Sequence, residues 1–118
     1  MLERMSVREV WQMIEGVMKD NPEPIRGLNV IYQYEITGED SGTFQLVMDN
    51  GSARVIEGAM ESADCTLRLS DKNFKKMIEN KLNGTAAFMT GKLRVQGSMG
   101  LALKLETILN EYNLSETV

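Results

Sequence analysis

The chain has 118 residues, 42% of them hydrophobic, and a net charge of −4, as expected of one compact domain covering residues 1–118. The acidic balance argues against a dedicated nucleic-acid binder, and the single cysteine excludes an internal disulfide. No signal-peptide pattern opens the sequence, and no apolar run approaches the ~18 residues of a membrane span. We therefore expect a cytoplasmic protein.

The first half of the chain predicts one helix followed by an antiparallel meander. Ser6 and Glu9 have the spacing of a capping box, so a helix should begin there, and Pro22 should end it. Alternating apolar side chains predict two strands, and Asn50-Gly51 signals a hairpin to a third. The expected strands run from Val30 to Thr37, from Phe44 to Asp49 and from Ser52 to Gly58.

The second half predicts two more strands and three helical segments. Ser70 or Asp71 should cap a helix that Asn83-Gly84 breaks, and Gly97-Ser98 should introduce the last helix. The element order predicts an α+β fold, with a five-stranded, mainly antiparallel sheet and helices packed on one side. The expected segments are a strand from Cys65 to Leu69, a helix carrying Phe74 to Leu82, a helical turn from Thr85 to Met89, a strand from Lys92 to Gln96, and a helix with an apolar stripe from Leu101 to Tyr112.

The sequence lacks the residues that most kinds of enzyme catalysis use. The sequence has no histidine, which removes the commonest general base and metal ligand. Cys65 lies on a predicted strand among apolar residues, where a free cysteine is most often a small buried hydrophobe. The stretch from Gly84 to Leu93 resembles a phosphate-binding loop but has the wrong glycine spacing, and Leu93 stands where Ser or Thr is needed. We expect no enzyme activity, no cofactor and no metal.

Basic residues concentrate in one part of the chain. Residues 65–104 hold eight basic and two acidic residues, a local net charge of +6 within a protein of −4. A solvated lysine face is one interpretation, and a docking face for anionic head groups or phosphates is the other. Lys92, Arg94 and Lys104 are the cations expected to steer a head group, together with the lysine run at positions 72, 75 and 76.

Methionine is frequent, with nine in the chain. Five of them lie between Met48 and Met99, interleaved with Phe74 and Phe88. They are either plain core filling or the adaptable wall of an apolar binding site, since the flexible thioether side chain suits both.

Five segments of the second half resemble the sterol carrier protein 2 (SCP-2) domain family in order and spacing. They are Ala63 to Leu67, Asp71 to Phe74, Lys81 to Asn83, Ala87 to Leu93 and Gly97 to Leu105. Gly84 departs from the proline that many relatives carry. The chain ends in Glu116-Thr117-Val118 rather than a peroxisomal tripeptide, and it lacks the fused enzyme domains. These departures lead us to expect a stand-alone, prokaryotic-type member.

The resemblance implies an apolar tunnel that binds fatty acids, fatty acyl-CoA, sterols or isoprenoids for transfer or presentation, without catalysis. Leu67 and Leu69 are expected at the sheet floor. The implied ligand-binding residues are Phe74, Met77, Ile78, Leu82, Phe88, Met89, Leu93, Val95, Met99, Leu101 and Leu105.

One alternative accompanies the lipid-carrier hypothesis. The chain would then be an accessory protein that docks on a lipid-metabolism enzyme through its basic face or C-terminal helix. Expected partners are a lipid or acyl-CoA and a transient membrane or enzyme contact, but no nucleic acid. The oligomeric state is expected to be a monomer or a weak homodimer. A dimer contact through the N-terminal helix around Trp11 is one interpretation, and a surface helix that packs on its own domain is the simpler one.

Overall fold

The computed structural model describes residues 2–114, so the C-terminal tripeptide on which the targeting expectation rests lies outside the described residues. Four α-helices and five strands make up most of this range, with single-turn 3-10 helices at Leu2–Arg4 and Glu23–Ile25. The helices are α1 (Val7–Asp20), α2 (Asp71–Ile78), α3 (Gly84–Met89) and α4 (Met99–Glu111). The strands are β1 (Asn29–Thr37), β2 (Gly42–Asp49), β3 (Ser52–Glu57), β4 (Cys65–Ser70) and β5 (Arg94–Gly97).

The five strands form one sheet in the order β3-β2-β1-β4-β5. Neighbouring strands are antiparallel except β1 and β4, which are parallel, so the predicted mainly antiparallel α+β fold is confirmed. The predicted hairpin is present, with positive φ angles at both Asn50 and Gly51. After β3 the chain returns to the far side of β1, which makes β1 the central strand, between β2 and β4.

One face of the sheet carries the core. Side chains alternate between buried and half-buried along β1 and β4, and the buried set packs against the helices. Trp11 of α1 is 1% exposed and lies against Tyr34, Phe44 and Phe74, with ring centroids 4.9, 6.0 and 5.1 Å away. The simpler interpretation of this helix therefore holds for Trp11, whose side chain is in the core and is not available for a dimer contact.

Local hydrogen bonds explain where the elements begin and end. The Ser6–Glu9 capping box forms as predicted, and Ser70 rather than Asp71 caps α2. α2 ends at Ile78, earlier than predicted, and Asn80 adopts a left-handed conformation with a φ of 62°. Leu82 consequently lies beyond the helix.

The last strand is shorter than predicted for a similar reason. The backbone N–H groups of Lys92 and Leu93 both donate to the carbonyl of Ala87, at 2.8 and 3.1 Å. These bonds hold the two residues in the turn after α3, so the strand begins only at Arg94.

Candidate functional site

An apolar cavity lies between α2, α4 and the core face of β1 and β4. The free space inside it is about 30 Å³, room for roughly two water molecules. Its lining comes from six parts of the chain that the fold brings together. The lining residues are Tyr34, Leu67, Leu69, Phe74, Met77, Ile78, Asn80, Gly84, Leu93, Met99, Ala102, Leu103, Glu106, Leu109 and Asn110.

Two tyrosine hydroxyls fix α4 across the cavity. Tyr32 donates to the carbonyl of Leu101 at 2.7 Å, and Tyr112 donates to the carbonyl of Asn21 at 2.7 Å. One bond ties the start of α4 to the sheet, and the other ties its end to the turn after α1. The helix therefore has little freedom to move away as a unit, and its small Ala102 leaves room beneath it.

The short helix α3 is held less firmly. It has six residues, and only Gly84 and Ala87 among them are buried. Asn83 caps its start, while Phe88 and Met89 are 41% and 77% exposed. α3 is the part of the wall with the fewest buried side chains, so it is the segment most able to give way.

Two ionisable side chains interrupt the apolar lining. Tyr34 is 3% exposed, and burial raises the pKa of its phenol above the ordinary value. One Glu106 oxygen accepts the backbone N–H of Gly84. A Cβ at position 84 would overlap that carboxylate, and a proline there would have no N–H to donate. Glycine at position 84 thus leaves room for the Glu106 carboxylate and supplies the N–H that donates to it.

The structure brings five of the eleven predicted ligand-binding residues to the cavity: Phe74, Met77, Ile78, Leu93 and Met99. The other six lie elsewhere. Leu105 is buried in the core, and Leu82, Val95 and Leu101 pack half-buried against that core. Phe88 and Met89 lie outside on α3. Their contact with a ligand stays a prediction.

The residues that sequence reasoning missed include Ala102, Glu106 and Leu109. These positions follow Met99 at helical spacing, so they share one side of α4 with it. Within the predicted stripe, Leu105 and Ile108 are buried in the core, whereas Leu109 lines the cavity. A charged residue at the edge of an apolar helix face was the signal available for Glu106.

The predicted cations separate into two groups. Lys92 and Arg94 line a surface groove with Arg68, which lies directly opposite Arg94 in the sheet. Leu69 borders both this groove and the cavity, whereas Lys104 is exposed on α4 and borders neither. Head-group steering by these side chains stays a prediction.

The lysine run of α2 does not form a purely basic face. Lys72, Lys75 and Lys76 line a cleft of about 520 Å³. Five acidic side chains share that cleft, and three of them come from the first half of the chain: Glu3, Glu39, Asp40, Asp71 and Glu79. The local excess of positive charge is thereby offset at this site.

Within residues 2–114 there is no group of acidic and cysteine side chains placed to hold a metal ion, and no helix there is long and apolar enough to cross a membrane. Cys65 is buried as predicted, and burial raises the pKa of its thiol. Its sulfur lies 3.5 Å from the carbonyl of Ser98. Nothing in its surroundings activates it as a nucleophile.

The family model of the SCP-2 sterol transfer family matches residues 12–110. The chain belongs to this family. Hydroxysteroid dehydrogenase-like protein 2 of Xenopus tropicalis is 39% identical over 108 residues, which are 91% of this chain and 25% of that protein. The chain thus spans about a quarter of the length of the curated relatives it matches.

Solved SCP-2 structures share the fold. Sterol carrier protein domain 2 of Helicoverpa armigera superposes with a TM-score of 0.76 at 28% identity, covering 89% of this chain and 86% of that one. Sterol carrier protein 2 from Yarrowia lipolytica, in its apo form, gives 0.75 at 28% identity over 88% and 89% of the two chains. The family is one of lipid-binding domains, which agrees with the apolar lining of the cavity.

Proposed function

We propose that this protein binds a long apolar lipid in the cavity between α2, α4 and the sheet, and transfers or presents it without chemical change. Fatty acids, fatty acyl-CoA, sterols and isoprenoids are the candidate ligands. The observation that carries the proposal is the lining itself, where aliphatic, methionine and phenylalanine side chains surround a space between fixed elements.

The free energy of burial is sufficient for useful affinity. An acyl chain gains about 0.8 kcal/mol per buried methylene, so ~14 methylenes contribute roughly 11 kcal/mol. Lost translational and rotational freedom costs at least ~4 kcal/mol, which leaves binding in the micromolar range. Opening the cavity subtracts from this affinity.

Opening is required, because about 30 Å³ does not hold an acyl chain. Met77 and Met99 line the cavity, and unbranched methionine side chains repack at low cost. α3 has few buried side chains and carries the exposed Phe88 and Met89. We place the entry route at α3, and a charged residue at Phe88 or Met89 should block uptake while leaving the fold intact.

A matched pair of methionine substitutions tests the site. Met77→Glu puts a charge on the cavity wall, whereas Met60→Glu puts the same charge on a side chain that is 77% exposed outside it. Binding of a fluorescent C16 lipid analogue should fall at least tenfold in the first variant and stay unchanged in the second. Circular dichroism checks that both fold. Equal binding in the two folded variants would move the lipid site away from this cavity.

The accessory-protein function is the second candidate, and the groove of Arg68, Lys92 and Arg94 favours it. Arg68 and Arg94 lie directly opposite each other, and like charges in such a pair destabilise a sheet. Glu35 offsets one of these charges, with its carboxylate 3.6 Å from the guanidinium of Arg68. An acidic protein surface docked there would relieve the repulsion. Pull-down with delipidated protein should recover a partner that Arg94→Glu loses. Recovery that depends on bound lipid instead would favour the carrier function alone.

A further inference from the structure

Tyr34 and Glu106 are the ionisable side chains of a mainly apolar cavity, which Asn80 and Asn110 also line. Both line it, although they come from the sheet and from α4. Tyr34 is 3% exposed. Glu106 is half-buried, and the described residues offer it one donor, the Gly84 N–H, which binds Oε2. The second carboxylate oxygen is free to accept another hydrogen bond.

The chemistry of the pair defines what can bind beside it. A carboxylate accepts hydrogen bonds and cannot donate, whereas a phenol hydroxyl does both. A ligand hydroxyl can donate to a carboxylate oxygen such as Glu106 Oε1, and it can accept from a phenol such as that of Tyr34. We infer that Glu106, with Tyr34, is a specificity-determining residue that selects a neutral lipid bearing a free hydroxyl group over a fatty acid. This inference rests on the proposed function.

A fatty acid is disfavoured in either orientation. With its carboxylate inward, the ligand brings a second carboxylate beside Glu106, so binding requires either like-charge repulsion or the uptake of a proton, and both weaken binding at neutral pH. With its methyl end inward, Glu106 and Tyr34 lose access to water and gain no partner, which is also unfavourable. A terminal hydroxyl avoids both costs.

The surrounding contacts keep Glu106 in place. Its bond to Gly84 N–H ties α4 to the first residue of α3, and glycine at that position leaves space for the carboxylate. Glutamine at position 106 keeps an amide oxygen for the same donor while removing the charge. Glu106→Gln therefore changes the electrostatics of the cavity and preserves the contact that positions the side chain.

Competition with a fluorescent lipid analogue tests the inference with three C16 ligands: 1-hexadecanol, methyl palmitate and palmitate. The wild-type chain should bind the alcohol at least tenfold more tightly than the acid, with the ester, which has no donor, weaker than the alcohol. Glu106→Gln should reduce the alcohol-to-acid ratio at least fivefold, mainly by strengthening palmitate binding. Tyr34→Phe should weaken the binding of the alcohol by about threefold, because it removes the hydroxyl that donates to the ligand oxygen.

A matched control removes the same charge elsewhere on α4. Glu111 is exposed and does not line the cavity, so Glu111→Gln should keep the wild-type ratio. Equal affinity for alcohol and acid in the wild type, or a ratio that Glu106→Gln leaves unchanged, would overturn the inference while the proposed function stands. If none of the three lipids competes and the fluorescent analogue does not bind, both the inference and the proposed lipid-binding function are wrong.

Discussion

Filling the cavity from α4 should weaken lipid binding by an amount that the structure allows us to estimate. Ala102 is 7% exposed and lines the cavity between Met99 and Glu106. Ala102→Leu adds about three methylene equivalents to the wall, at a position where both residues have high helix propensity. If they displace three methylenes of ligand, the loss is about 2.4 kcal/mol, or roughly 60-fold in Kd.

The variant also has a cost in stability, which has to be separated from the loss of binding. Overpacking a core costs typically ~1–3 kcal/mol, so urea unfolding should still show a cooperative folded state. Ala59→Leu makes the same substitution at an exposed position outside the cavity and should leave the Kd of a fluorescent C16 lipid unchanged. A folded Ala102→Leu protein with wild-type affinity would refute the placement of the ligand beside α4.

Three further predictions concern the fold. Ser6→Ala should lower the free energy of unfolding by about 1 kcal/mol, measured by urea denaturation, because it removes the capping hydroxyl of α1. Gly97→Ala should lower the free energy of unfolding by at least ~1–3 kcal/mol, since Gly97 has a φ of 102° and a Cβ would lie 2.9 Å from a backbone oxygen. The control Gly100→Ala lies in α4 and should raise the free energy of unfolding by ~0.4–1 kcal/mol. Equal thermal midpoints of the two variants would contradict this prediction. Burial raises the pKa of Tyr32 to about 12, so the folded state keeps that proton at a pH where the unfolded chain loses it. The free energy of unfolding should therefore fall as the pH rises from about 10 to 12. A Tyr32→Phe variant with the same loss of stability would count against the role of Tyr32.

The sequence carried more information about the elements than about the cavity. Ser6, Asn50-Gly51 and Ser98 act through bonds within a few residues, so they could be interpreted from the sequence alone. The parallel pairing of β1 with β4 is non-local, and no short-range signal predicts it.

The cavity depends on the rotation of α4 about its axis, which is a tertiary property. Both Leu105 and Leu109 belong to apolar stripes, yet only Leu109 lines the cavity. The bond from Tyr32 to the Leu101 carbonyl helps to set that rotation, and nothing near Leu101 in the sequence indicates it. Glu106 was missed for the same reason, because its partner Gly84 is 22 residues away.

The aromatic packing around Trp11 gives the protein an intrinsic optical probe. Trp11 is the only tryptophan in the chain, and its ring stacks on Phe74 at 5.1 Å. Phe74 also lines the cavity, so it lies between Trp11 and any bound ligand. A molecule that pushes Phe74 aside would change the surroundings of the indole, so its emission spectrum should report occupancy without any label.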